Sequence, residues 1–379
     1  MLRIGLVELA PLTTGGAATY ALSLQQALAD IDSEFEIKLV TFANEATSPL
    51  MRGSGSGHVL YRKHQSHASS PYQRLWGRLG TRGAPRVPTL PEALRAENID
   101  LAWFLAPNRV ISAVKDIPYV MTVWDLGHRD VQGFPEFSSQ RRWEQREAGF
   151  APNLGRAFHV LTDSKRTGES LEKIYGVYPH NWSSIGLPLP SVVMSDMRLA
   201  DTIAKPYFYY PASYWPHKNH RVLVDALEIM KNTDAHLVFS GHDEGHRELV
   251  EKFVGEQALS EQVHFYGRIS DEEVQGLIDN SVAVVMPSVL GPTNYPPLEA
   301  LRRGKPALVS PVHDFDQTPR TGLVVMAKNF PELWAAAMTS ALEGKTRVDG
   351  GSFEPDSPLP VIRAVIEKFA QVQRARFLS

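Results

Sequence analysis

Short apolar runs alternate with amphipathic stretches along most of the chain. Strands are predicted where apolar residues stand together in a short run, and helices where apolar positions recur every three or four residues. In the first half this pattern predicts helices that include Ala18–Asp30 and Arg166–Tyr175. The predicted strands there are Ile4–Leu9, Phe35–Phe42, Leu101–Leu105, Tyr119–Val123 and Phe158–Thr162.

The second half repeats the same alternation. Its predicted strands are Tyr207–Tyr210, His236–Ser240, Val263–Tyr266, Ala283–Met286 and Ala307–Ser310. The helices between and after them are predicted at Arg221–Lys231, Glu244–Glu256, Asp271–Asn280 and Pro297–Arg303. Strands that alternate with helices of this length are typical of βαβ units, so both halves are predicted to hold mainly parallel sheets.

A proline-containing stretch separates the two halves. Residues 186–206 hold prolines at positions 188, 190 and 206, and proline disfavours regular structure at its own position and the one before it. We therefore predict an N-terminal domain over residues 1–190 and a C-terminal domain over 205–359. The predicted fold class is α/β, with two Rossmann-like doubly wound domains facing a central cleft. In such sheets ligands bind at the carboxyl ends of the strands.

Composition narrows the class of protein further. The chain has 379 residues, with 39 basic and 42 acidic side chains and a net charge of −3. This balance argues against a globally basic nucleic-acid binder. The absence of cysteine excludes disulfides, zinc–thiolate sites and cysteine nucleophiles. No apolar stretch reaches transmembrane length and no signal-peptide pattern is present, so a cytoplasmic protein is expected.

Residues 46–91 contain no acidic side chain. Two interpretations stay open for this basic segment: a solvated surface insertion, or a patch for anionic phosphates of a lipid-linked acceptor or a membrane surface. The second would make the protein peripheral at the inner face of the membrane, with its contact over residues 52–86. The basic residues of the segment are Arg52, Arg62, Lys63, Arg74, Arg78, Arg82 and Arg86.

Three loops that follow predicted strands carry candidate chemistry. In the first, Gly15 and Gly16 precede a helix whose N-terminus could receive an anion, although a plain tight turn fits equally well and no GxGxxG pattern is present. In the second, Lys218 precedes a helix and suits a phosphate or diphosphate, or is simply solvated. In the third, Glu299 is expected in the first turn of its helix, either to accept hydrogen bonds from sugar hydroxyls or as a simple N-terminal charge.

Taken in order, these segments resemble a GT-B glycosyltransferase of the large retaining family four. The resemblance spans nearly the whole chain and is strongest over 207–310. Its segments are TGGAATYALSL, TVWDLGHRDVQGFPEF, LTDSKRTGESLEKIYGV, HFYGRISDEEVQGLIDNSVAVVMPS and PLEALRRGKPALVS. The stretches PAS-x-WPHKNH and GPTN-x-PPLEA resemble a subgroup of mannosyl- and rhamnosyltransferases that build bacterial surface polysaccharides.

Three positions depart from the family pattern. The first glutamate of the E-x7-E motif is replaced by Gly291, while the second matches Glu299. Ser213 stands where the family has an arginine, and Trp124 stands where it has the histidine of T-x-H-D-L. In the resembled subgroup the first glutamate is often absent.

The resemblance implies a metal-independent retaining transfer of a hexosyl group from a nucleotide-diphosphate sugar. Electrostatic stabilisation of the departing diphosphate would carry the catalysis. Lys218 would provide it, helped by backbone N–H groups of Gly15, Gly16 and Thr293–Tyr295. A front-face substitution is expected, because no carboxylate can be named for a double displacement.

The resemblance also implies roles for the other candidate residues. Glu299 would bind the ribose, Tyr266 and Arg268 would lie against the base, and Asp125 or His128 would face the sugar or acceptor. Gly241 would let the chain pass close to the nucleotide. Ser213 and Asn294 complete the expected donor-binding set. The GT-B analogy further implies that a C-terminal helix over 360–379 packs back on the first domain.

No cofactor and no metal are expected. The pair His242/His246 could reach one metal from a helix, but it lacks the H-E-x-x-H pattern. GDP-mannose is the favoured donor on subgroup resemblance alone, and the acceptor would be a glycan or a lipid-linked glycan. Two alternatives stay open: a non-catalytic sugar-nucleotide-binding partner subunit, and an NAD-dependent dehydrogenase, which the missing GxGxxG disfavours.

Overall fold

A computed structural model describes most of the chain. The described residues are 2–8, 16–29, 35–42, 58–61, 88–189, 196, 198–204, 206–231, 233–291, 294–312, 321–348 and 357–378. The predicted site residues Gly15 and Thr293 lie outside these ranges, as do the basic side chains predicted to form a phosphate or membrane patch.

The first half forms a seven-stranded parallel sheet in the order β3-β2-β1-β4-β5-β6-β7. The chain runs outward from β1 to one edge and then returns to continue from β4 toward the other. This reversal places a switch point between β1 and β4. The strands are β1 Leu2–Val7, β2 Phe35–Phe42, β3 His58–Tyr61, β4 Leu101–Phe104, β5 Tyr119–Val123, β6 His159–Thr162 and β7 Trp182–Ser184.

The second half forms a six-stranded parallel sheet in the order β10-β9-β8-β11-β12-β13. Its switch point lies between β8 and β11, by the same reversal of strand order. The strands are β8 Tyr207–Pro211, β9 His236–Ser240, β10 Val263–Tyr266, β11 Ala283–Met286, β12 Ala307–Val309 and β13 Leu323–Val325.

Helices connect the strands of both sheets. Those of the first half are α1 Gly16–Ala29, α2 Leu90–Ala96, α3 Gly127–Asp130, α4 Pro135–Ser138, α5 Gln140–Leu154 and α6 Lys165–Tyr175. Those of the second half are α7 His220–Ile229, α8 Arg247–Glu256, α9 Asp271–Asn280, α10 Tyr295–Arg302, α11 Pro331–Leu342 and α12 Leu359–Leu378. None of the helices in these described ranges combines the length and apolar composition needed to cross a lipid bilayer.

Local sequence signals set several helix ends. α9 begins with a capping box, in which the Ser270 hydroxyl accepts from the Glu273 backbone N–H and the Glu273 carboxylate accepts from the Ser270 N–H. α6 is capped at its C-terminus by Gly176, whose φ of 66° is left-handed and therefore favours glycine. The central strand β8 is buried on both faces, so its run of aromatic residues replaces the alternation of a half-exposed strand.

One hydrophobic core includes buried side chains of both sheets, for example Leu6 and Trp103 from the first and Tyr207 and Val284 from the second. The C-terminal helix also joins the halves. Its Phe369 ring contacts Phe158 edge to face with centroids 5.3 Å apart, and the Lys368 ammonium donates to the His180 carbonyl at 3.0 Å. The helix that follows the second sheet therefore packs on the first half.

The α/β prediction of two doubly wound sheets is confirmed, with corrections at individual elements. The helix predicted at Glu244–Glu256 begins only at Arg247, because Gly245 has a left-handed φ of 85°, which does not fit a right-handed helix. Conversely, α10 begins at Tyr295, two residues before the predicted start. The edge strands β3, β7 and β13 were not predicted.

Candidate active site

The candidate site lies at the switch point of the second sheet. The loop after β8 carries Lys218, and the loop after β11 leads into α10, which carries Glu299. Because β8 and β11 are parallel neighbours, both loops begin side by side at the carboxyl ends of these strands. Crevices at such points bind ligands in doubly wound folds. The two segments that the sequence singled out in this half are therefore brought together.

Lys218 ends a short 3₁₀ turn over Pro216–Lys218. The next residue, Asn219, is left-handed with a φ of 53° and starts α7. The Tyr210 hydroxyl donates to the Lys218 carbonyl at 2.8 Å and fixes the turn to β8. Burial lowers the pKa of the Lys218 ammonium to about 8, and the negative charge of Asp125 opposes this shift. The lysine thus stays mostly protonated at neutral pH in a poorly solvated place.

Glu299 lies one turn further into its helix than expected. Since α10 begins at Tyr295, Glu299 is in the second turn, and the first turn contains no acid. The prediction of a carboxylate in the first turn is therefore wrong. Burial and the neighbouring Asp271 raise the pKa of Glu299 to about 7, while Gln275, Arg302 and Arg303 oppose the shift. Such a perturbed carboxyl in a crevice is typical of functional sites.

The start of α1 faces the start of α10 across the cleft. A Cβ atom on Gly16 would lie 3.4 Å from Cδ2 of Tyr295. The Tyr295 ring is buried, and its hydroxyl has no hydrogen-bond partner among the described residues. Asn294, half-buried, precedes α10 and donates from Nδ2 to the Gly291 carbonyl at 3.2 Å. Gly16, Asn294 and Tyr295, three of the residues predicted to bind the donor, therefore lie close to one another.

Asp125 and His128 belong to a partly buried polar network in the first half. The Asp125 carboxylate accepts from the Gly127 backbone N–H at 2.7 Å and from Arg146 Nη2 at 2.5 Å. His128 is fully buried, and its Nδ1 accepts from Arg146 Nε at 3.1 Å while its Nε2 lies 2.7 Å from a Glu147 oxygen. Both histidine nitrogens are thus engaged within the protein. The Asp125 side chain, by contrast, is partly exposed. Its negative charge favours the protonated form of Lys218 and so raises the pKa of that lysine.

Gly241 packs against protein backbone. A Cβ atom there would lie 2.3 Å from the Ala212 carbonyl oxygen. Its N–H donates to the Gly267 carbonyl at 3.1 Å, and the Ala212 N–H donates to the Ser240 carbonyl at 2.8 Å. The glycine therefore allows the loops after β8, β9 and β10 to pack together, which is a structural reason for its presence beside the role predicted for it.

The remaining predicted donor residues surround the same loops. Ser213 is half-buried in the loop after β8, and its carbonyl accepts from the Trp215 N–H at 2.8 Å. Tyr266 ends β10, with its carbonyl accepting from the Tyr214 hydroxyl at 3.1 Å. Arg268 is exposed two residues later.

The histidines near Lys218 have structural surroundings. His220 is buried between the rings of Tyr210, Tyr214 and Phe239, with centroids 4.7 to 5.1 Å away, and burial lowers its pKa to about 3. His242 and His246 lie in a loop before α8, so they do not share a helix. Within the described ranges, no three metal-ligating side chains lie close enough to hold an ion.

One buried pair between the halves was not predicted from the sequence. Glu136 of α4 accepts from both the backbone N–H and the Nδ1 of His217, at 3.0 and 2.6 Å, and both side chains are buried. The sequence contains one indication that Glu136 has a buried partner. Glu136 stands between Phe134 and Phe137, and an acid among aromatic residues is buried only when it is paired. The partner, however, lies 81 residues away.

Comparisons with known proteins agree with this architecture. Residues 202–349, which include the second sheet, match the family model for glycosyl transferases group 1. Two solved structures have the same fold. Sucrose-phosphate synthase from Thermosynechococcus elongatus has a TM-score of 0.69 at 18% identity, covering 100% of both chains. Alr3699/HepE from Anabaena, solved with UDP-glucose, has a TM-score of 0.68 at 13% identity, covering 99% of this chain and 100% of that one.

By its architecture this is a protein of the GT-B fold, and its second half is similar to the glycosyl transferases group 1 family. Among individual proteins, the chain is similar to the O-antigen chain mannosyltransferase RfbU of Salmonella typhimurium, at 25% identity over 190 residues. That alignment covers 49% of this chain and 51% of RfbU, so it spans about half the length of this relative. The predicted resemblance to GT-B glycosyltransferases is confirmed.

Proposed function

We propose that this protein is a retaining, metal-independent glycosyltransferase. It would move a hexosyl group, mannosyl or rhamnosyl-like, from a nucleotide-diphosphate sugar to a glycan or lipid-linked acceptor of bacterial surface polysaccharide synthesis. One observation carries the proposal. The loop with Lys218 and the loop that leads into α10 follow neighbouring parallel strands at the switch point of the second sheet. The group 1 match over 202–349 and the similarity to an O-antigen mannosyltransferase support it. GDP-mannose is the first donor to test.

The proposed chemistry follows from where negative charge develops. The bond between the anomeric carbon and the diphosphate oxygen breaks, and the acceptor oxygen forms its bond to the same face of that carbon. The acceptor's proton passes to the departing diphosphate. Lys218, protonated and poorly solvated, would stabilise the growing charge, because an ammonium in a low-dielectric site interacts more strongly than one in water. Glu299 would accept hydrogen bonds from the ribose hydroxyls.

A binding screen followed by a transfer assay tests the proposal. Thermal shifts with nucleoside diphosphates and nucleotide sugars would name the base, since a ligand of the folded state raises its apparent stability. With that donor and a lipid-linked glycan, product formation is expected, and NMR of the product should show the donor's anomeric configuration. Lys218→Ala should abolish transfer while the fold survives. Full activity of Lys218→Ala would contradict the central assignment.

One alternative rests on specific residues. Gly291 and Ser213 stand at positions where the resembled family has a glutamate and an arginine, so the chain could bind a sugar nucleotide without transferring the sugar. That alternative predicts a thermal shift with the donor and no product with any acceptor. An NAD-dependent dehydrogenase would instead bind a nicotinamide nucleotide in the same screen.

A further inference from the structure

The two halves meet beside Lys218 through a buried hydrogen-bonded pair. Glu136 comes from α4 of the first half, and His217 immediately precedes Lys218 in the 3₁₀ turn of the second. One carboxylate oxygen, Oε1, accepts from the His217 backbone N–H at 3.0 Å and from its Nδ1 at 2.6 Å. The contact therefore holds both the backbone and the ring of the residue next to Lys218.

Aromatic rings pack against this buried pair. The rings of Phe134 and Phe137 lie 6.4 and 5.3 Å from the His217 ring, measured between centroids. On the other side, the His217 carbonyl accepts from the Val289 N–H at 2.9 Å, which ties the turn to the loop after β11. A hydrogen bond that involves a charged group contributes more to stability than one between neutral groups.

The same surface is closely packed on both sides of the pair. A Cβ atom on Gly127 would lie 2.6 Å from Cδ2 of Leu290, so the first half approaches the loop after β11 too closely for a side chain there. Arg142 places its guanidinium 5.6 Å from the centre of the Trp215 ring. These contacts flank the Glu136–His217 pair along the chain in both halves, and together they define one continuous interface.

We propose that Glu136 is a positioning residue that holds the first half against the Lys218 turn. This inference rests on the proposed function, in which Lys218 acts on a diphosphate, and on the expectation that Asp125 or His128 of the first half faces the sugar or acceptor. The pair would fix the distance between the two walls of the cleft. Without the pair the turn should keep its place on the second half, because the Tyr210 hydroxyl still donates to the Lys218 carbonyl at 2.8 Å.

Two substitutions at one position separate loss of the negative charge from loss of the hydrogen-bonding side chain. In Glu136→Gln the amide carbonyl can still accept both hydrogen bonds from His217, so the halves should stay together. The second carboxylate oxygen, Oε2, has no partner among the described residues, so the new amide group displaces no bond there. In Glu136→Ala both bonds are lost. Asp116→Ala is the matched control, since Asp116 pairs only with exposed Arg95 of the same half in the described structure.

The position of the halves can be measured without any catalytic assay. The chain contains no cysteine, so Lys173→Cys and Glu248→Cys, both at exposed positions, give one spin label on each half. Electron–electron distance measurements should give one narrow distribution in the parent, in Glu136→Gln and in Asp116→Ala. In Glu136→Ala the distribution should broaden or move to longer distances. An unchanged distribution in a folded Glu136→Ala protein would overturn the proposal.

Kinetics give the second measurement. In Glu136→Ala we expect kcat to fall about 100-fold, the size of effect that a displacement of about 1 Å produces, with the Kd for nucleoside diphosphate within about threefold of the parent. Glu136→Gln should recover most of kcat. Equal losses of kcat and of nucleotide affinity would indicate damage to the second half instead. If no transfer is found in the parent, the proposed function fails, whereas the distance measurement still decides the role of Glu136.

Discussion

Replacing Glu299 by glutamine should stabilise the fold at alkaline pH and weaken nucleotide binding. Glutamine keeps the shape of the side chain and removes its ionisation. In the parent, burial and Asp271 raise the pKa of Glu299 to about 7 from an ordinary 4.5, so the ionised form is disfavoured in the folded state. The carboxylate that the proposed function requires is therefore a source of instability.

The magnitude follows from the two pKa values. The full difference between folded and unfolded states corresponds to about 3 kcal/mol, at about 1.4 kcal/mol per pH unit. Below pH 4.5 the carboxyl is protonated in both states, so parent and variant should unfold with similar free energies. As pH rises toward 7, the unfolded chain ionises first and the parent loses stability relative to the variant. The predicted gain in Glu299→Gln is about 1 kcal/mol at pH 5 and about 3 kcal/mol at pH 8.

Urea unfolding followed by circular dichroism at pH 5 and pH 8 measures this gain, provided that the slope m is unchanged. Glu248→Gln on the exposed face of α8 is the control and should show no such pH dependence. At pH 8 the Glu299→Gln variant should also bind nucleoside diphosphate about tenfold or more weakly, because hydrogen bonds to a charged acceptor are lost. A gain that is the same at both pH values, or a loss at pH 8, would refute the reasoning.

Three further predictions concern charge, packing and metal. kcat/KM of the parent should fall above about pH 8, because the Lys218 ammonium then loses its proton; a pH–rate profile that stays flat to pH 10 contradicts this. Gly168→Ala should lower the free energy of unfolding by about 1–3 kcal/mol, since its Cβ would lie 2.2 Å from the Trp182 ring. Gly155→Ala is the control, because a Cβ there meets open space and should not lower stability. Urea titration measures the free energy of unfolding of both variants. Transfer should persist in EDTA, and complete loss restored by a divalent metal would disprove metal independence.

The periodicity of apolar residues predicted the central strands of both sheets. A central strand of a parallel sheet is buried on both faces, so it appears as a continuous apolar run, as in Tyr207–Pro211. The three missed strands, His58–Tyr61, Trp182–Ser184 and Leu323–Val325, all lie at sheet edges. An edge strand pairs on one side only and can be short and partly polar. Its apolar signal is correspondingly weak, and the neighbouring strand determines its conformation.

The site was predictable to the extent that it depends on single loops. Lys218 and Glu299 each stand next to a strand end and a helix start, and such local patterns can be recognised in the sequence. Glu136 and His217 are 81 residues apart, and nothing near either one indicates the other. Their pairing depends on how the two halves pack, which is a property of the whole fold. For the same reason the sequence could not show that His128 has both nitrogens engaged.

The departures from the family motif are matched by the backbone around them. Gly291 has a φ of 92°, in the left-handed region that favours glycine, so a glutamate at this position would cost roughly 1–3 kcal/mol in backbone strain. The loop after β11 is therefore shaped for a residue without a side chain. With Gly291 in place of the glutamate and Ser213 in place of the arginine, the cleft lacks one acidic and one basic side chain of the family pattern. The two replacements together leave the net charge of the cleft the same as in that pattern. The negative charge of Asp125, from the other half, then favours the protonated form of Lys218 and offsets part of the effect of burial on its pKa.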